Sequence, residues 1–385
     1  MRKLLSMLIV SVMLLCITAC QNTQQTGLPS QQPSTQPSIT ETTQPSVPVE
    51  IQQQPMNAIS LVPCVEETMD DNGNVRFIYA YQTISLVMPE PEIADKIILD
   101  HLNRMDLADQ YADSLRTESL LQDNGNADVH FMYKISYTPK RFDNAILSMQ
   151  EEELVQSGGA HPNVYGHFYT YDLLTGETLK LSEVLTENVS VETLANSVIS
   201  NLTDTDGFYQ GFEDTIKDMF KVGTEQYKYW YFSANGLCFY FDPYVVAPYA
   251  AGPITSELPY SQLSGILKDK YFPAEEDSYS GSLSVEEFAA DTQSNYTQFA
   301  EAVLTQDGPA ILLSADGLLT DIRIETVEIE NNIKTTVMAV HSLSPGDGLM
   351  LQFDPAATKL TVNYHNGEQV ETKTITYRNQ NITVS

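Results

Sequence analysis

Residues 157–185 read SGGAHPNVYGHFYTYDLLTGETLKLSEVL, and no other stretch of this 385-residue chain restricts its own folding so tightly. Gly158 and Gly159 reach backbone angles closed to other residues, which predicts a sharp reversal or a close backbone approach there. After Pro162, residues 164–171 alternate with period two, so a strand is expected with Tyr165, His167, Tyr169 and Tyr171 on one face. A tight turn at Thr175-Gly176 then returns the chain with Leu179 and Leu181 facing one way. His161 and His167 are six apart, which also puts both on one face of a strand. That spacing is neither the helical pair of zinc proteases nor a finger spacing, and no Cys or Glu completes a recognised set. The pattern therefore predicts a structural or interface role for the two histidines, with no metal and no cofactor.

Strand and helix signals alternate unevenly on either side. Residues 75–87 (VRFIYAYQTISLV) read as a strand reached through the turn Asp70-Asp71-Asn72-Gly73. Pro89 and Pro91 open a helix with Glu90 and Glu92 at its positive end, and Ile93, Ile97, Leu99, Leu102 and Met105 are its expected apolar side; it should stop before Asn124-Gly125. Residues 129–137 form another strand, whereas 141–156 give no clear signal beyond Leu147, Met149 and Leu154 as core contacts. Ser190 is the expected N-cap of a helix carrying Val191, Leu194, Val198 and Leu202. A second helix covers 212–220. Asn235-Gly236 between the aromatic runs 227–232 and 237–241 predicts a hairpin with a type I′ turn. Pro243, Pro248, Gly252 and Pro253 mark an irregular loop, and 260–271 reads as a closing helix. Such a mixture argues for α+β with an antiparallel or mixed sheet, not for repeated βαβ units.

Residues 274–281 are an acidic, serine-bearing break. Residues 285–304 place Phe288, Tyr296, Phe299 and Val303 at helical spacing, and 309–384 carry six strand-like runs separated by turn signals. About 100 residues suffice for a small β domain. The expected organisation is a main α+β body over 59–273 and a smaller, mostly-β domain over 283–385 that starts with a helix.

The Gly158-Gly159-Ala160-His161-Pro162 motif, residues 172–179, residues 244–252 and the following Leu258-Pro259-Tyr260-Ser261-Gln262-Leu263 together resemble the extracytoplasmic domain of RsiV-type anti-sigma factors. The characterised member of that family binds lysozyme, and a similar domain precedes the catalytic domain of some peptidoglycan deacetylases. The resemblance covers roughly residues 60–272. It implies a binding role, for which His161, Tyr165, His167, Tyr244 and Tyr249 are the candidate ligand-binding residues. Tyr244 and Tyr249 stand out because their loop is irregular and proline-rich, and tyrosine dominates interface hot spots. Two departures from the family limit what carries over. Anti-sigma members hold a sigma factor through a segment preceding a membrane helix, whereas only residues 1–3 precede the apolar run here; no sigma factor is expected as a partner. Deacetylase members owe their chemistry to a separate domain rich in Asp and His, whereas residues 283–385 hold only His341 and His365.

That apolar run belongs to an export signal. Arg2 and Lys3 precede it, it is short for a membrane span, and it ends in Ile17-Thr18-Ala19-Cys20, which resembles the lipobox of bacterial lipoproteins. Residues 1–19 are thus the expected signal peptide and Cys20 the expected lipidation site, anchoring the chain to the outer face of a cell membrane of Gram-positive type through ~0.8 kcal/mol per buried methylene. Residues 21–58, with ten Gln and six Pro, cannot bury enough apolar surface to fold and form a tether of roughly 35 to 120 Å. Cys64 and Cys238 remain in an exported body; either a disulfide between them or two free thiols fits the sequence.

The chain carries 51 Asp and Glu against 20 Lys and Arg, a formal net charge of −31. That balance excludes sequence-independent nucleic-acid binding, which needs a cationic surface. It favours cationic partners, and lysozymes of the common animal type are strongly basic. No Gly-x-Ser-x-Gly elbow occurs, no Ser stands three residues before a Lys, and neither Cys64 nor Cys238 has the local signature of a catalytic thiol. Catalytic residues are therefore not expected. The leading expectation is a lipid-anchored extracytoplasmic binding or sensing lipoprotein that is not an enzyme and takes a lysozyme or a cell-wall glycan as ligand. A peptidoglycan-modifying enzyme or its accessory subunit, and a purely structural surface module, are the alternatives.

Overall fold

The computed structural model describes residues 55–121, 131–159, 161–203, 205–274, 281–330, 332–367, 369–378 and 381–385. The leader, Cys20, nearly all of the tether, Asn124-Gly125, Ala160 and most of the acidic break at 274–281 lie outside the described residues.

Asp70 shapes the first turn, its carboxylate accepting from the amides of Asn72 and Asn74, both at 2.9 Å. The turn joins β1 (Ala58–Met69) to β2 (Val75–Val87) in one long antiparallel hairpin. The helix opened by Pro91 is α1 (Pro91–Leu121), and β3 (Phe131–Phe142) follows it, pairing parallel to β2 with Phe77 opposite Phe131. Parallel neighbours need a crossover, and α1 supplies it. Ala94, Ile97, Ala112 and Leu115 of the helix pack on Phe77, Tyr79, Tyr133 and Tyr137 of the sheet. Leu99 and Leu102, expected on that side, are exposed instead. His101 takes an inward position, its ring edge-on to Tyr137 at 5.1 Å.

Residues 141–156, silent in sequence, turn back through Asp143 into β4 (Ile146–Gln156), and β5 (Asn163–Asp172) closes this side of the sheet, both antiparallel. Three helices follow: the single turn α2 (Leu181–Val184), then α3 (Val191–Ser200), capped by Ser190 accepting from the Thr193 amide, then α4 (Phe212–Phe220). They pack on a second, three-stranded sheet made of β6 (Trp230–Phe232), β7 (Gly236–Phe241) and β8 (Ile254–Pro259). Phe232, Phe239 and Phe241 are fully buried in that core, each contributing ~1.5–3 kcal/mol.

The β6–β7 connection is not the type I′ turn expected of Asn-Gly. Phe232 pairs with Leu237, leaving a four-residue loop, and neither Asn235 nor Gly236 has positive φ. The Ser233 hydroxyl accepts from the amides of Asn235 and Gly236 at 3.1 and 3.0 Å and sets the turn instead. Gly236 serves close approach: a Cβ there would lie 2.1 Å from the Leu258 carbonyl oxygen of β8. Gly236→Ala should therefore open the β7–β8 edge and cost about 1–3 kcal/mol, read as a fall of several degrees in Tm by circular dichroism. An unchanged Tm would contradict the Gly236–Pro259 register. The closing helix expected over 260–271 is two short 3₁₀ turns, at Tyr260–Gln262 and Asp269–Tyr271.

The helix expected over 285–304 is replaced by β9 (Leu283–Glu287), a 3₁₀ stretch and β10 (Gln298–Val303). Tertiary contacts override the spacing of the four anchors. Ala300 and Ala302 alternate inward beneath β1, and the Ser60 hydroxyl donates to the Glu301 carbonyl at 2.6 Å. β9 and β10 join β11 (Ala310–Ala315) and β14 (Asp347–Gln352) in a four-stranded sheet, with β10 parallel to β14. The remaining strands are β12 (Leu319–Glu328), β13 (Lys334–Leu343), β15 (Thr358–Asn366), β16 (Gln369–Arg378) and β17 (Asn381–Val384).

These last strands do not form a sheet of their own. β13 pairs with the start of β1 over Ala58–Val340, Ile59–Ala339 and Ser60–Met338, making one ten-stranded sheet in the order β17-β16-β15-β12-β13-β1-β2-β3-β4-β5. The boundary expected at 273–283 thus cuts across a continuous sheet, and the described residues belong to one compact unit spanning 51–385. Met56 and Ala58 contribute to the same core as Ile324, Val340, Leu351, Phe353 and Val362. Arg323 of β12 adds a second tie, donating to the carbonyls of Pro139 and Lys140 at 2.6 and 3.1 Å. The α+β class with a mostly-β C-terminal part is as the sequence indicates.

Candidate functional site

β5 is the outer strand of the ten-stranded sheet, and its cross-strand partners on β4 set the chemistry. Register places Glu153 opposite Tyr165 and Glu151 opposite His167. His167 Nε2 lies 3.0 Å from a Glu153 carboxylate oxygen. That hydrogen bond raises the imidazole above its ordinary value and lowers the Glu153 carboxyl, while burial raises Glu151. Behind them Arg104 of α1 lies 3.7 Å over the Tyr169 ring and donates to the Tyr171 hydroxyl at 3.0 Å; that hydroxyl donates to Asp100 at 2.7 Å. Tyr169 and Tyr171 are therefore support, and only Tyr165 and His167 of the four face-sharing residues are substantially exposed.

Gly166 carries no side chain because Tyr240 of β7 occupies its place, within 2.6 Å of where a Cβ would stand. Its amide donates to Asp242 at 3.1 Å, which draws the loop after β7 against β5. Burial raises the Asp242 carboxyl, and the charge of His167 opposes that rise. Two residues on, Tyr244 has φ of +71°, a conformation costing non-glycine residues about 1–3 kcal/mol. Its amide donates to the Ala247 carbonyl at 3.1 Å, holding the turn, and its side chain is 57% exposed. The strained backbone thus keeps an aromatic ring in solvent.

Tyr244 does not stand alone. Its ring is 5.5 Å from that of Tyr249, which stacks on His161 at 4.2 Å with 24° between the planes. The Tyr249 hydroxyl donates to the Pro162 carbonyl at 3.0 Å, fastening the irregular loop to the Gly158-Gly159 turn region. The three rings form one cluster, and Tyr165, His167 and Glu153 form another on the side of β5 facing away from Tyr240. Asp242 holds the Gly166 amide and feels the charge of His167, and the candidate residues come from two segments about 80 residues apart. Glu151, Glu153 and Asp242 were not singled out by sequence. The period-two placement of Glu151 and Glu153 was a signal for the first two, obscured by the abundance of acidic residues; Asp242 is visible only through Gly166.

Chemically, the ring cluster offers π surfaces in a strongly acidic chain, a combination suited to arginine and lysine side chains or, on the rings alone, to sugars. Among the described residues no three or more His, Cys, Asp or Glu side chains are arranged to hold a metal ion. Cys64 and Cys238 are both free thiols, half-buried on β1 and buried on β7. The disulfide reading does not hold, since both thiols are free; burial pushes the Cys238 thiol up to about 11. No described helix is long and apolar enough to cross a membrane.

The fold and this face define an α+β protein with an aromatic, acidic surface. Residues 180–261 match the model of the DUF3298 family, described as protein of unknown function. Tyr244 and Tyr249 fall inside that segment, and His161, Tyr165 and His167 before it. A DUF3298 family member from Bacteroides fragilis NCTC 9343 is similar in structure, at 17% identity and a TM-score of 0.42, over 55% of this chain and 94% of that one. A DUF3298 family protein from Pseudomonas aeruginosa PAO1 is also similar, at 17% identity and a TM-score of 0.38, over 57% of this chain and 97% of that one. No curated protein matches.

Proposed function

We propose that this chain is an extracytoplasmic binding lipoprotein, anchored through lipid on Cys20, whose aromatic face captures a basic wall-associated protein of the lysozyme class without catalysing a reaction on it. The observation that supports this most is Tyr244, held in a strained backbone conformation with its ring exposed, tilted at 5.5 Å from Tyr249, which in turn stacks on His161. Strain retained at an exposed aromatic is characteristic of ligand clamps. A guanidinium or ammonium group laid on the rings would find the Asp242 carboxylate two residues from Tyr244, and the net charge of −31 would speed its arrival. The RsiV-type resemblance of residues 60–272 points to the same partner.

A wall glycan is the second reading, because the exposed rings of Tyr244 and His161 beside half-buried Tyr249 also suit pyranose faces. Surface plasmon resonance with the lipid-free chain separates the two. Tyr244→Ala and Tyr249→Ala should each weaken binding to an animal-type lysozyme by about 30-fold or more, the effect of removing a hot-spot aromatic, with Tm unchanged in the Tyr244 variant. Binding to a chitin oligosaccharide with none to lysozyme would favour the glycan. Unaltered lysozyme binding in both variants would remove this face from the account.

A further inference from the structure

On a different part of the molecule, a cleft of ≈ 470 Å³ opens between the β3–β4 turn, residues 269–274 and the ends of β12 and β13. That volume lies within the range of small-molecule sites. Arg141, Lys270, Asp143, Asp269, His341 and Ser342 are among its polar lining, and Ala145, Phe272, Pro273 and Leu318 form its apolar walls. Arg323 and His365 line the adjoining hollow, which shares Arg141, Thr320 and His341. In a chain where acids outnumber bases 51 to 20, cationic groups are concentrated here. Asp143, Asp269 and Asp321 also line the two hollows, so the region is close to charge-balanced where most of the surface is anionic.

Arg141 makes this more than a gap in the surface. The side chain is 4% exposed. Its Nε donates to Asp143 at 2.6 Å, and Nη1 donates to the Tyr260 hydroxyl at 2.8 Å and the Tyr271 carbonyl at 2.6 Å. Nη2 is buried and has no partner. A charged donor left unsatisfied in the interior is unfavourable by at least 1–3 kcal/mol, so the group calls for an acceptor. The turn that presents it is preorganised: Asp143 accepts from the amides of Ala145 and Ile146 at 2.8 Å, and the Asn57 side-chain amide donates to the Asp143 carbonyl at 3.2 Å.

We infer that this cleft binds a small organic carboxylate with an apolar body, such as the free C-terminus of a short peptide bearing small side chains. The carboxylate is the acceptor for the Arg141 guanidinium, Lys270, whose ammonium lies 3.7 Å from Asp172 and over the Tyr271 ring, adds positive charge to the lining, and the side chains lie on Ala145, Phe272 and Leu318. A carboxylate fits better than a phosphate because the walls are partly apolar and Asp143 and Asp269 would repel a dianion.

The test is calorimetric titration of the purified chain with N-acetyl-alanylalanine, its C-terminal amide and inorganic phosphate. Saturable binding of the acid, with the amide and phosphate at least tenfold weaker, is the expected result. Arg141 is too deeply built in to be the sole probe, so two other variants carry the mutational arm. Lys270→Glu reverses an exposed charge, and Thr320→Phe fills the cleft; each should weaken binding about tenfold or more while Tm is kept. No saturable binding of the acid, equal binding of the amide or phosphate, or affinity unchanged in both variants would overturn the inference.

Discussion

Replacing Arg141 by alanine should destabilise the protein by about 3–5 kcal/mol, the largest effect expected of any single polar substitution here. The guanidinium bridges segments more than 100 residues apart. It holds Asp143, which organises the β3–β4 turn, and reaches the Tyr260 hydroxyl and the Tyr271 carbonyl, which close the three-stranded sheet's domain onto that turn. Its guanidinium carbon also lies 5.3 Å from the Phe232 ring centre and 5.6 Å from that of Tyr260. Removing it strands the Asp143 carboxylate, which is only 21% exposed, and empties a packed space. Urea denaturation with a two-state fit measures the loss. Arg141→Lys should recover little, because one ammonium cannot reach three acceptors in the planar arrangement the guanidinium satisfies. A loss below about 1 kcal/mol for the alanine variant would mean that this network does not tie the two parts together.

Acid should weaken the protein through His101, by about 3 kcal/mol between pH 7 and pH 4. Burial, assisted by the nearby charge of Arg104, pushes its imidazole down to about 4. The side chain is 3% exposed, and its Nδ1 has no hydrogen-bond partner. An unfolded histidine titrates near 6.5. Between those values the unfolded chain binds the extra proton, so stability is complete above about pH 6.5 and declines as pH falls toward 4. Glu151 acts in the opposite sense, because burial raises its carboxyl and the folded state there holds the proton more tightly. Comparing the chain with His101→Met separates the two contributions, since the apolar replacement keeps the volume and removes the titration. The urea midpoint of the variant should fall less steeply from pH 7 to pH 4. Identical slopes would show that His101 takes up its proton without unfolding cost.

Local signals in the sequence were reliable where local physics decides. Ser190 caps its helix as its side-chain chemistry requires, and 212–220 is helical to the residue because Phe212, Ile216 and Phe220 share one face. β2 and β5 follow from period two, whereas the pairing of β1 with β2 was not read. What could not be read is what distance decides. β1 and β13 are separated by about 280 residues, and nothing near Ala58 announces that Val340 will be its neighbour. The same pairing draws β10 beneath β1 and converts a helical spacing of Phe288, Tyr296 and Phe299 into strand and 3₁₀ turn. The fate of Asn235-Gly236 shows a smaller version: the hydroxyl of Ser233 and the close approach of β8 outweigh the turn preference of the dipeptide.

The aromatic face was legible in part for the same reason. Tyr244 and Tyr249 are marked by their proline-rich, irregular loop, and His161 by its glycine turn. Their stacking depends on Tyr249 reaching the Pro162 carbonyl 87 positions away, and on Asp242 docking against Gly166. Neither contact leaves a trace in composition or spacing. Arg141 gave no sequence signal at all, since its role comes from three partners that only the folded chain brings to it.

Calorimetric titration of residues 51–385 with an animal-type lysozyme, at low and at physiological salt, tests the central claim most directly. The account predicts saturable one-site binding that weakens with salt but survives at physiological strength, because stacked rings hold what the charges attract. Heat that disappears once the charges are screened, over a Debye length of about 8 Å, would reduce the interaction to nonspecific attraction between an acidic and a basic protein. Absence of binding even at low salt would contradict the proposed partner.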